Sequence, residues 1–161
     1  MVTKKSKIFL AGHNGMVGSA IFNQLKIDGY KKIITADKKK LNLLDQKNVE
    51  KFIKKIKPDF IIIAAAKVGG ILVNNFNRAN FIYENIMIQT NLIHSAYLAG
   101  VQNLIFLGSS CVYPKNCTQP IKEDYLLSGK LEKTNDAYAV AKIAGIKMCE
   151  SYNFQYGTNY R

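Results

Sequence analysis

The sequence lacks an apolar run long enough to cross a membrane. Its longest apolar run, Phe60–Ala66, has seven residues, whereas a membrane-spanning helix needs about 20. The lysines before Ile8 are reminiscent of a signal peptide, but the apolar stretch that follows them is too short and continues into a glycine loop. We therefore expect a soluble, cytoplasmic protein with no membrane partner.

Cysteine and histidine are scarce, and their spacing argues against two kinds of structural site. The three cysteines, Cys111, Cys117 and Cys149, are odd in number. Together with the two histidines they form no zinc-binding pattern. We predict neither disulfides nor a metal site, so each thiol has to be interpreted from its neighbours.

Acidic residues are also few, since 23 Lys and Arg outnumber 11 Asp and Glu and the formal net charge is +12. The lysines are scattered over loops and helix faces. A nucleic-acid-binding surface would gather them into a stripe interleaved with aromatic residues, and no segment does so. We predict no nucleic-acid partner. The charge indicates a solvated lysine-rich surface or, alternatively, attraction of anionic ligands.

Apolar strand-like runs alternate with segments of helical periodicity along the 161 residues. Without a repeat or a linker, residues 1–161 are predicted to form one domain. The predicted strands are Lys7–Ala11, Lys32–Ala36, Phe60–Ala66 and Asn103–Gly108, and the predicted helices are Val17–Lys26, Val49–Lys57, Phe76–Leu98 and Asp136–Tyr152. This alternation predicts an α/β protein with a doubly wound parallel sheet and helices on both faces.

A glycine-rich loop joins the first predicted strand to the first predicted helix. Three glycines at G-x-x-G-x-x-G spacing allow a sharp turn, close approach of a pyrophosphate and tight packing of helix on strand. The anion would lie at the helix N-terminus. The loop predicts a Rossmann-type dinucleotide site, with cofactor-binding candidates Gly12, His13, Asn14, Gly15, Met16, Val17 and Gly18.

The end of the second predicted strand carries conflicting signals about the cofactor. Asp37 at this position would accept a hydrogen bond from the ribose hydroxyl of NAD and repel a 2′-phosphate. Lys38 would attract that phosphate, so the two residues favour different cofactors. Asn42 and Leu43 follow at positions where they would border the adenine of the cofactor.

A tyrosine and a lysine four residues apart form the catalytic candidate. Tyr138 and Lys142 lie on one face of the last predicted helix, where an ammonium lowers the pKa of a nearby phenol. Ser109 follows the fourth predicted strand, at the sheet edge where ligands of open α/β sheets bind. Its hydroxyl can donate to a carbonyl oxygen that gains negative charge.

Four segments together are similar to the GDP-L-fucose synthases, which belong to the extended short-chain dehydrogenase/reductase superfamily. They are Ala11–Ala20, Ala64–Ile71, Gly108–Lys115 and Tyr138–Lys147. The resemblance implies an NADP-dependent oxidoreductase and epimerase. Such an enzyme epimerises GDP-4-keto-6-deoxy-mannose at C3 and C5 and reduces its 4-keto group with NADPH.

The same resemblance implies a role for each matching residue. Ser109 polarises the carbonyl, Tyr138 is the general acid, Lys142 holds the nicotinamide ribose, and Cys111 takes part in the proton transfers. Without the resemblance, Cys111 would be taken for a small buried hydrophobe. Further implied cofactor-binding residues are Lys38, Asn42, Leu43, Ala64, Ala65, Leu107, Gly108, Ser109, Ser110 and Lys142. Asn85 matches a helical asparagine of the superfamily, or else faces solvent.

The chain departs from the family pattern in two respects. The family often has Arg at the position of Asn14, so the expected NADPH preference rests on Lys38. Family members are also longer and carry a C-terminal portion that binds the sugar nucleotide and contains the histidine partner of Cys111. We expect an N-terminal half that lacks the C-terminal substrate domain and is inactive alone.

Two alternative functions and the oligomeric state remain open from the sequence. In the first alternative the chain is an inactive NADP-binding fragment. In the second it is part of another nucleotide-sugar epimerase, reductase or dehydratase. Extended members commonly dimerise through two long helices, so we expect a homodimer of the complete protein. The corresponding segments are Phe76–Leu98 and Asp136–Tyr152, with apolar residues Ile82, Ile86, Ile93, Ile143 and Ile146.

Overall fold

A computed structural model describes residues 2–161 and contains a five-stranded, all-parallel sheet. In spatial order the strands are β2 (Lys32–Ile34), β1 (Lys7–Ala11), β3 (Phe60–Ile63), β4 (Asn103–Phe106) and β5 (Asn159–Tyr160). The chain runs outward from β1 to β2 and then returns to the other side of β1. This reversal creates a crevice at the carboxyl ends of β1 and β3, where ligands of doubly wound sheets bind.

Five α-helices cover the sheet: α1 (Met16–Ile27), α2 (Gln46–Ile56), α3 (Ile71–Phe76), α4 (Arg78–Leu98) and α5 (Asp136–Tyr156). Helices α2, α4 and α5 pack side by side. Helix α1 packs on the opposite face, where its apolar residues meet Ile8, Leu10 and Ile62. The predicted Rossmann-type architecture with helices on both faces is confirmed.

The core follows the alternation of side chains along the strands. In β1, Phe9 and Ala11 are buried on the side of α2 and α4, whereas Ile8 and Leu10 are buried on the side of α1. Both faces of this strand are therefore apolar, as expected for a central strand of a parallel sheet. Central burial makes β1 a rigid support for the loop that follows it.

Several predicted boundaries differ from those in the structure. The helix predicted over Phe76–Leu98 is interrupted at Asn77, whose φ of −111° and ψ of 34° separate α3 from α4. Helix α5 continues beyond Tyr152 and ends at Gly157, which has a left-handed φ of 65°. Strand β5 is too short to produce an alternating apolar pattern, and the sequence did not predict it. Asn42 and Leu43, which were expected to border the adenine, lie outside any strand.

Within residues 2–161, no helix combines the length and apolarity that crossing a membrane requires.

Candidate active site and cofactor cleft

The glycine loop between β1 and α1 depends on two glycines for its shape. Gly12 has a left-handed φ of 90°, and a Cβ there would lie 2.5 Å from the amide nitrogen of Ala65. A Cβ on Gly18 would overlap the carbonyl oxygen of Gly12. Gly15 directly precedes α1 and has no side chain to cap the helix, which leaves the amides of its first turn available to an anion. The predicted turn and the predicted close packing are both confirmed.

A cleft of about 330 Å³ opens beside this loop. It contains eight of the predicted cofactor-binding residues, namely Gly12, His13, Asn14, Gly15, Lys38, Asn42, Leu43 and Ala65. Met16 and Val17 lie outside the cleft in the first turn of α1, where Met16 is fully exposed to solvent. Gly18 is buried beneath the loop, and Ala64 donates its amide to the carbonyl of Ala11. Those four residues shape the site without lining it.

The carboxylate of Asp37 is engaged in its own turn. One of its oxygens accepts a hydrogen bond from the amide of Lys40 at 2.9 Å. The carbonyl of Asp37 also accepts from the amides of Lys40 and Leu41. This turn holds Lys38, Lys39 and Lys40 exposed at the cleft rim.

Asn85 of α4 connects this helix to the loop after β3. Its side chain is buried, accepts from the amide of Lys67 at 2.9 Å, and donates to the Lys67 carbonyl at 3.0 Å. The alternative that Asn85 faces solvent is wrong. Its neighbours Glu84 and Ile88 line the cofactor cleft, with Glu84 paired to the Lys67 ammonium. Glu84 and Ile88 were not predicted from the sequence, although their spacing of four places them on one helical face.

A second, smaller cavity of about 210 Å³ contains most of the catalytic candidates. It is lined by Val68, Gly69, Asn74, Ser109, Ser110, Cys111, Asn135 and Tyr138. Ser109 precedes a short 3-10 helix over Ser110–Val112, and its hydroxyl accepts from the Cys111 thiol at 3.2 Å. The end of β4 and the start of α5 therefore bring the serine, the cysteine and the tyrosine together.

The phenol of Tyr138 is half-buried, and its surroundings favour the protonated form. Burial raises the pKa of Tyr138, the neighbouring Cys111 raises it further, and a hydrogen bond to Ser109 lowers it. The expectation that the Lys142 ammonium depresses the pKa of Tyr138 is not met, because burial has the largest effect on this pKa and raises it. The ammonium lies 5.9 Å from the centre of the tyrosine ring. A protonated phenol at neutral pH suits a general acid.

Lys142 is buried one helical turn beyond Tyr138. Its ammonium donates to the carbonyl of Leu107 at 2.7 Å and lies 4.5 Å above the ring centre of Phe106. Burial lowers the pKa of Lys142 to about 8, against a smaller opposing effect of Cys111. The amide of Leu107 is in turn bonded to the carbonyl of Ile63 at the end of β3. Lys142 thus fixes the segment from Leu107 to Gly108 that leads into the catalytic cavity.

The remaining cysteines and histidines lie away from the catalytic cavity. Burial raises the pKa of Cys149 to about 12, which makes this thiol unreactive. His94 is bonded to the Tyr152 hydroxyl at 2.7 Å, and His13 is in the cofactor cleft. Over residues 2–161, no group of three or more His, Cys, Asp and Glu side chains is placed to hold a metal ion.

Comparison with known proteins gives a consistent result. Residues 8–161 match the sequence profile of the NAD dependent epimerase/dehydratase family. A GDP-L-fucose synthase of Escherichia coli is 54% identical over 157 residues, covering 98% of this chain and 49% of that protein. The chain spans about half the length of the curated relatives it matches.

Two solved structures from Campylobacter jejuni are also similar. One is a GDP-D-glycero-L-gluco-heptose synthase in the presence of NADPH, with a TM-score of 0.96 and 43% identity over 99% of this chain and 47% of that chain. The other is a GDP-mannoheptose C4 reductase with NADP bound, with a TM-score of 0.96 and 43% identity over 99% of this chain and 51% of that chain. Both are solved with the cofactor that Lys38 is predicted to select.

Proposed function

We propose, from the premise that the chain belongs to the NAD dependent epimerase/dehydratase family, that residues 1–161 are the NADP(H)-binding domain and catalytic part of a GDP-L-fucose synthase. The complete protein would epimerise GDP-4-keto-6-deoxy-D-mannose at C3 and C5 and reduce its C4 carbonyl. One observation carries this proposal. Ser109, Cys111 and Tyr138 line one cavity, and the loop from Ala65 to Gly69 forms a wall of both this cavity and the cofactor cleft.

Several features of the cofactor cleft would suit an NADP molecule. The amides of the first turn of α1 suit the pyrophosphate. No side chain projects from Gly15, where a Cβ would meet only the Gly12 carbonyl oxygen, at 3.4 Å. Leu41, Leu43 and Ile88 supply apolar walls for the adenine. When bound, the reduced nicotinamide supplies the hydride for C4.

The cavity residues account for the remaining chemistry. The Ser109 hydroxyl would donate to the carbonyl oxygen, and the protonated phenol of Tyr138 would deliver the proton to that oxygen during reduction. The 4-keto group acidifies the protons on C3 and C5, and the Cys111 thiol would exchange protons with those carbons. Lys142 would hold the nicotinamide ribose from the wall that it already stabilises through Leu107.

The runner-up is a GDP-heptose reductase or another nucleotide-sugar epimerase, reductase or dehydratase. The similar heptose enzymes share 43% of their residues with this chain, against 54% for the E. coli fucose synthase. Cys111 also favours the fucose reaction, because reduction alone requires no thiol. The activity experiment below also tests a different class of function, in which the chain is a cofactor-binding fragment without turnover.

The activity experiment compares residues 1–161 with a fusion in which they are followed by the half of the E. coli fucose synthase that the alignment leaves uncovered. Oxidation of NADPH is followed with GDP-4-keto-6-deoxy-mannose as substrate. We expect turnover from the fusion and none from residues 1–161, because no histidine of the described residues reaches the catalytic cavity to oppose Cys111. Turnover by residues 1–161 at the rate of the E. coli enzyme would contradict this assignment. No turnover by the fusion would contradict the proposed function.

The cofactor preference is tested with two substitutions at the cleft rim. We expect Lys38→Ala to weaken NADPH binding about tenfold, the value of one charge-assisted hydrogen bond, and to leave NADH binding unchanged. Asp37→Asn keeps the acceptor for the Lys40 amide but removes a negative charge, so NADPH should bind more tightly. Binding is measured by the fluorescence of the reduced nicotinamide. A preference for NADH in the unsubstituted chain would overturn the NADP assignment.

We also propose that the complete protein is a homodimer, built on the outer surface of α4 and α5. Ile93 and Ile143 are buried within the chain, so they are not available to a partner. Tyr83 and Val140 are exposed on these helices, and Val140 lines a shallow groove with Ile82.

The dimer is tested by a substitution in this groove. We expect Val140→Asp to lower the molecular mass measured by analytical ultracentrifugation from that of a dimer to that of a monomer. The exposed Phe154→Asp at the far end of α5 serves as the control. A monomer at every concentration before substitution would refute the dimer.

We place the protein in the cytoplasm, since its three cysteines are free and a reducing compartment maintains thiols.

A further inference from the structure

Two side chains of the catalytic cavity carry a buried amide oxygen without a hydrogen-bond partner in the described part of the chain. They are Asn74 and Asn135, and no other buried side-chain nitrogen or oxygen of residues 2–161 is unpartnered. Both residues line the cavity that contains Ser109, Cys111 and Tyr138. Buried polar atoms are almost always hydrogen-bonded, so two exceptions in one cavity require an explanation.

The amide of Asn74 can be oriented from its contacts. The side chain is only 8% exposed, and its nitrogen donates to the carbonyls of Gly69 at 2.7 Å and Gly70 at 3.1 Å. Turning the amide over would set its oxygen against these two carbonyl oxygens. The nitrogen is therefore fixed toward the glycines, and the unpartnered acceptor is on the opposite side of the amide.

Asn135 occupies a helix position where its side chain normally has a different use. It is the N-cap of α5, and an asparagine there usually accepts a hydrogen bond from the first turn of the helix. The Asn135 side chain makes no such bond. It precedes Tyr138 by three residues, which places it next to the phenol on the same side of the helix.

We propose that Asn74 and Asn135 each accept a hydrogen bond from a different hydroxyl of the sugar ring, because one hydroxyl has a single hydrogen to donate. This inference rests on the proposed function, which brings a sugar carbonyl to Ser109 and Tyr138. In a 4-keto-6-deoxy-hexose attached through C1, only C2 and C3 carry a free hydroxyl. These two hydroxyls are the donors that the two oxygens lack. The pair would select nucleotide sugars that retain both hydroxyls and position the ring for reaction.

The proposal separates the effects of substitution on stability and on recognition. Because the Asn135 oxygen bonds to nothing in the protein, Asn135→Ala should not lower the melting temperature. A site built to pair with a hydroxyl discriminates against an analogue that lacks it. We expect about a tenfold preference for the natural substrate over each deoxy analogue, corresponding to one neutral hydrogen bond.

A crystallographic experiment tests the site without requiring turnover. Crystals of the fusion described above are grown with NADP and soaked in GDP-L-fucose. We expect one sugar hydroxyl within about 3.2 Å of each amide oxygen. An Asn74 or Asn135 oxygen bonded instead to a protein donor, or only to water beside the bound sugar, would overturn the proposal.

A kinetic experiment identifies the hydroxyl. In the fusion described above, kcat/KM is measured for GDP-4-keto-6-deoxy-mannose and for its 2-deoxy and 3-deoxy analogues. Asn135→Ala should reduce the preference against one analogue from about tenfold to about onefold and leave the other unchanged. Asn77→Ala is the matched control, since Asn77 is the N-cap of α4, also makes no side-chain cap, and lies outside the cavity.

The outcomes separate the inference from the function on which it rests. A lower melting temperature with an undiminished preference in Asn135→Ala would assign the residue a structural role and reject the proposal. If the fusion turns over no sugar at all, the proposed function fails, and the crystallographic result alone decides whether the two oxygens accept a hydroxyl.

Discussion

Gly18→Ala is expected to destabilise the chain by about 3 kcal/mol and to weaken NADPH binding about a hundredfold. The added Cβ would overlap the carbonyl oxygen of Gly12 and come within 2.8 Å of the Gly12 carbonyl carbon. Alanine is the better helix former by about 1 kcal/mol, but this gain is smaller than the cost of overpacking against main-chain atoms that no side-chain rotation can relieve. Relief would displace the loop that meets the phosphates. The free energy of unfolding in urea and the NADPH dissociation constant measure the two effects.

Two other glycines provide matched controls for this prediction. Gly70 directly precedes α3, as Gly15 directly precedes α1, and a Cβ on Gly70 would meet nothing within 4 Å. Gly70→Ala should therefore leave both measurements unchanged. Gly15→Ala should retain the fold, because its Cβ would only touch Gly12, yet it should weaken NADPH by intruding on the cleft. Equal stability of the Gly18 and Gly70 variants would show that the overlap is relieved without cost.

Lys142→Met is expected to stabilise the chain at pH 7 by about 1 kcal/mol while removing a predicted catalytic group. Burial lowers the pKa of Lys142 from 10.5 to about 8, and a change of this size corresponds to about 3 kcal/mol of charge penalty. Lys142 is 3% exposed, so solvent screens this penalty little. Methionine removes the penalty but leaves the Leu107 carbonyl without its donor, which costs about 2 kcal/mol.

The difference between the two proteins should reverse with pH. Below pH 8 the lysine is charged in both the folded and the unfolded chain, and the full penalty is present. Between pH 8 and pH 10.5 the folded lysine loses its proton first, so the unsubstituted protein gains stability as the pH rises. At pH 10.5 Lys142→Met should be the less stable of the two. Urea unfolding at both pH values tests this, with exposed Lys147→Met as the control. A difference that does not change with pH would contradict it.

The sequence predicted the parts of the site that depend on backbone conformation. The spacing of Gly12 and Gly18 required a turn and a close packing, and both are present. The four-residue spacing of Tyr138 and Lys142 placed both on one side of α5, and the strand end placed Ser109 nearby. These inferences succeeded because helix periodicity and the geometry of parallel sheets translate sequence separation into position.

Features that depend on tertiary burial were not predictable in the same way. The position of the Lys142 ammonium is set by its hydrogen bond to the carbonyl of Leu107, which is 35 residues away in sequence. The engagement of Asp37 with Lys40 depends on the local turn, whereas the residue type alone suggested an NAD ribose. The unpartnered oxygens of Asn74 and Asn135 become evident only when the whole cavity is assembled. Propensity and spacing carry no information about which polar atoms lack a partner.

The two hydrogen bonds between the Asn85 side chain and the main chain of Lys67 also have a consequence for substitutions. Asn85 contacts residue 67 through its main-chain amide and carbonyl. The course of this loop is therefore independent of the side chain at position 67, whose ammonium pairs with Glu84 in the cofactor cleft. Position 85 is more restricted, because few side chains offer both a donor and an acceptor at that reach. A substitution at residue 67 should therefore change the charge of the cleft and leave the loop in place, whereas one at residue 85 should release the loop.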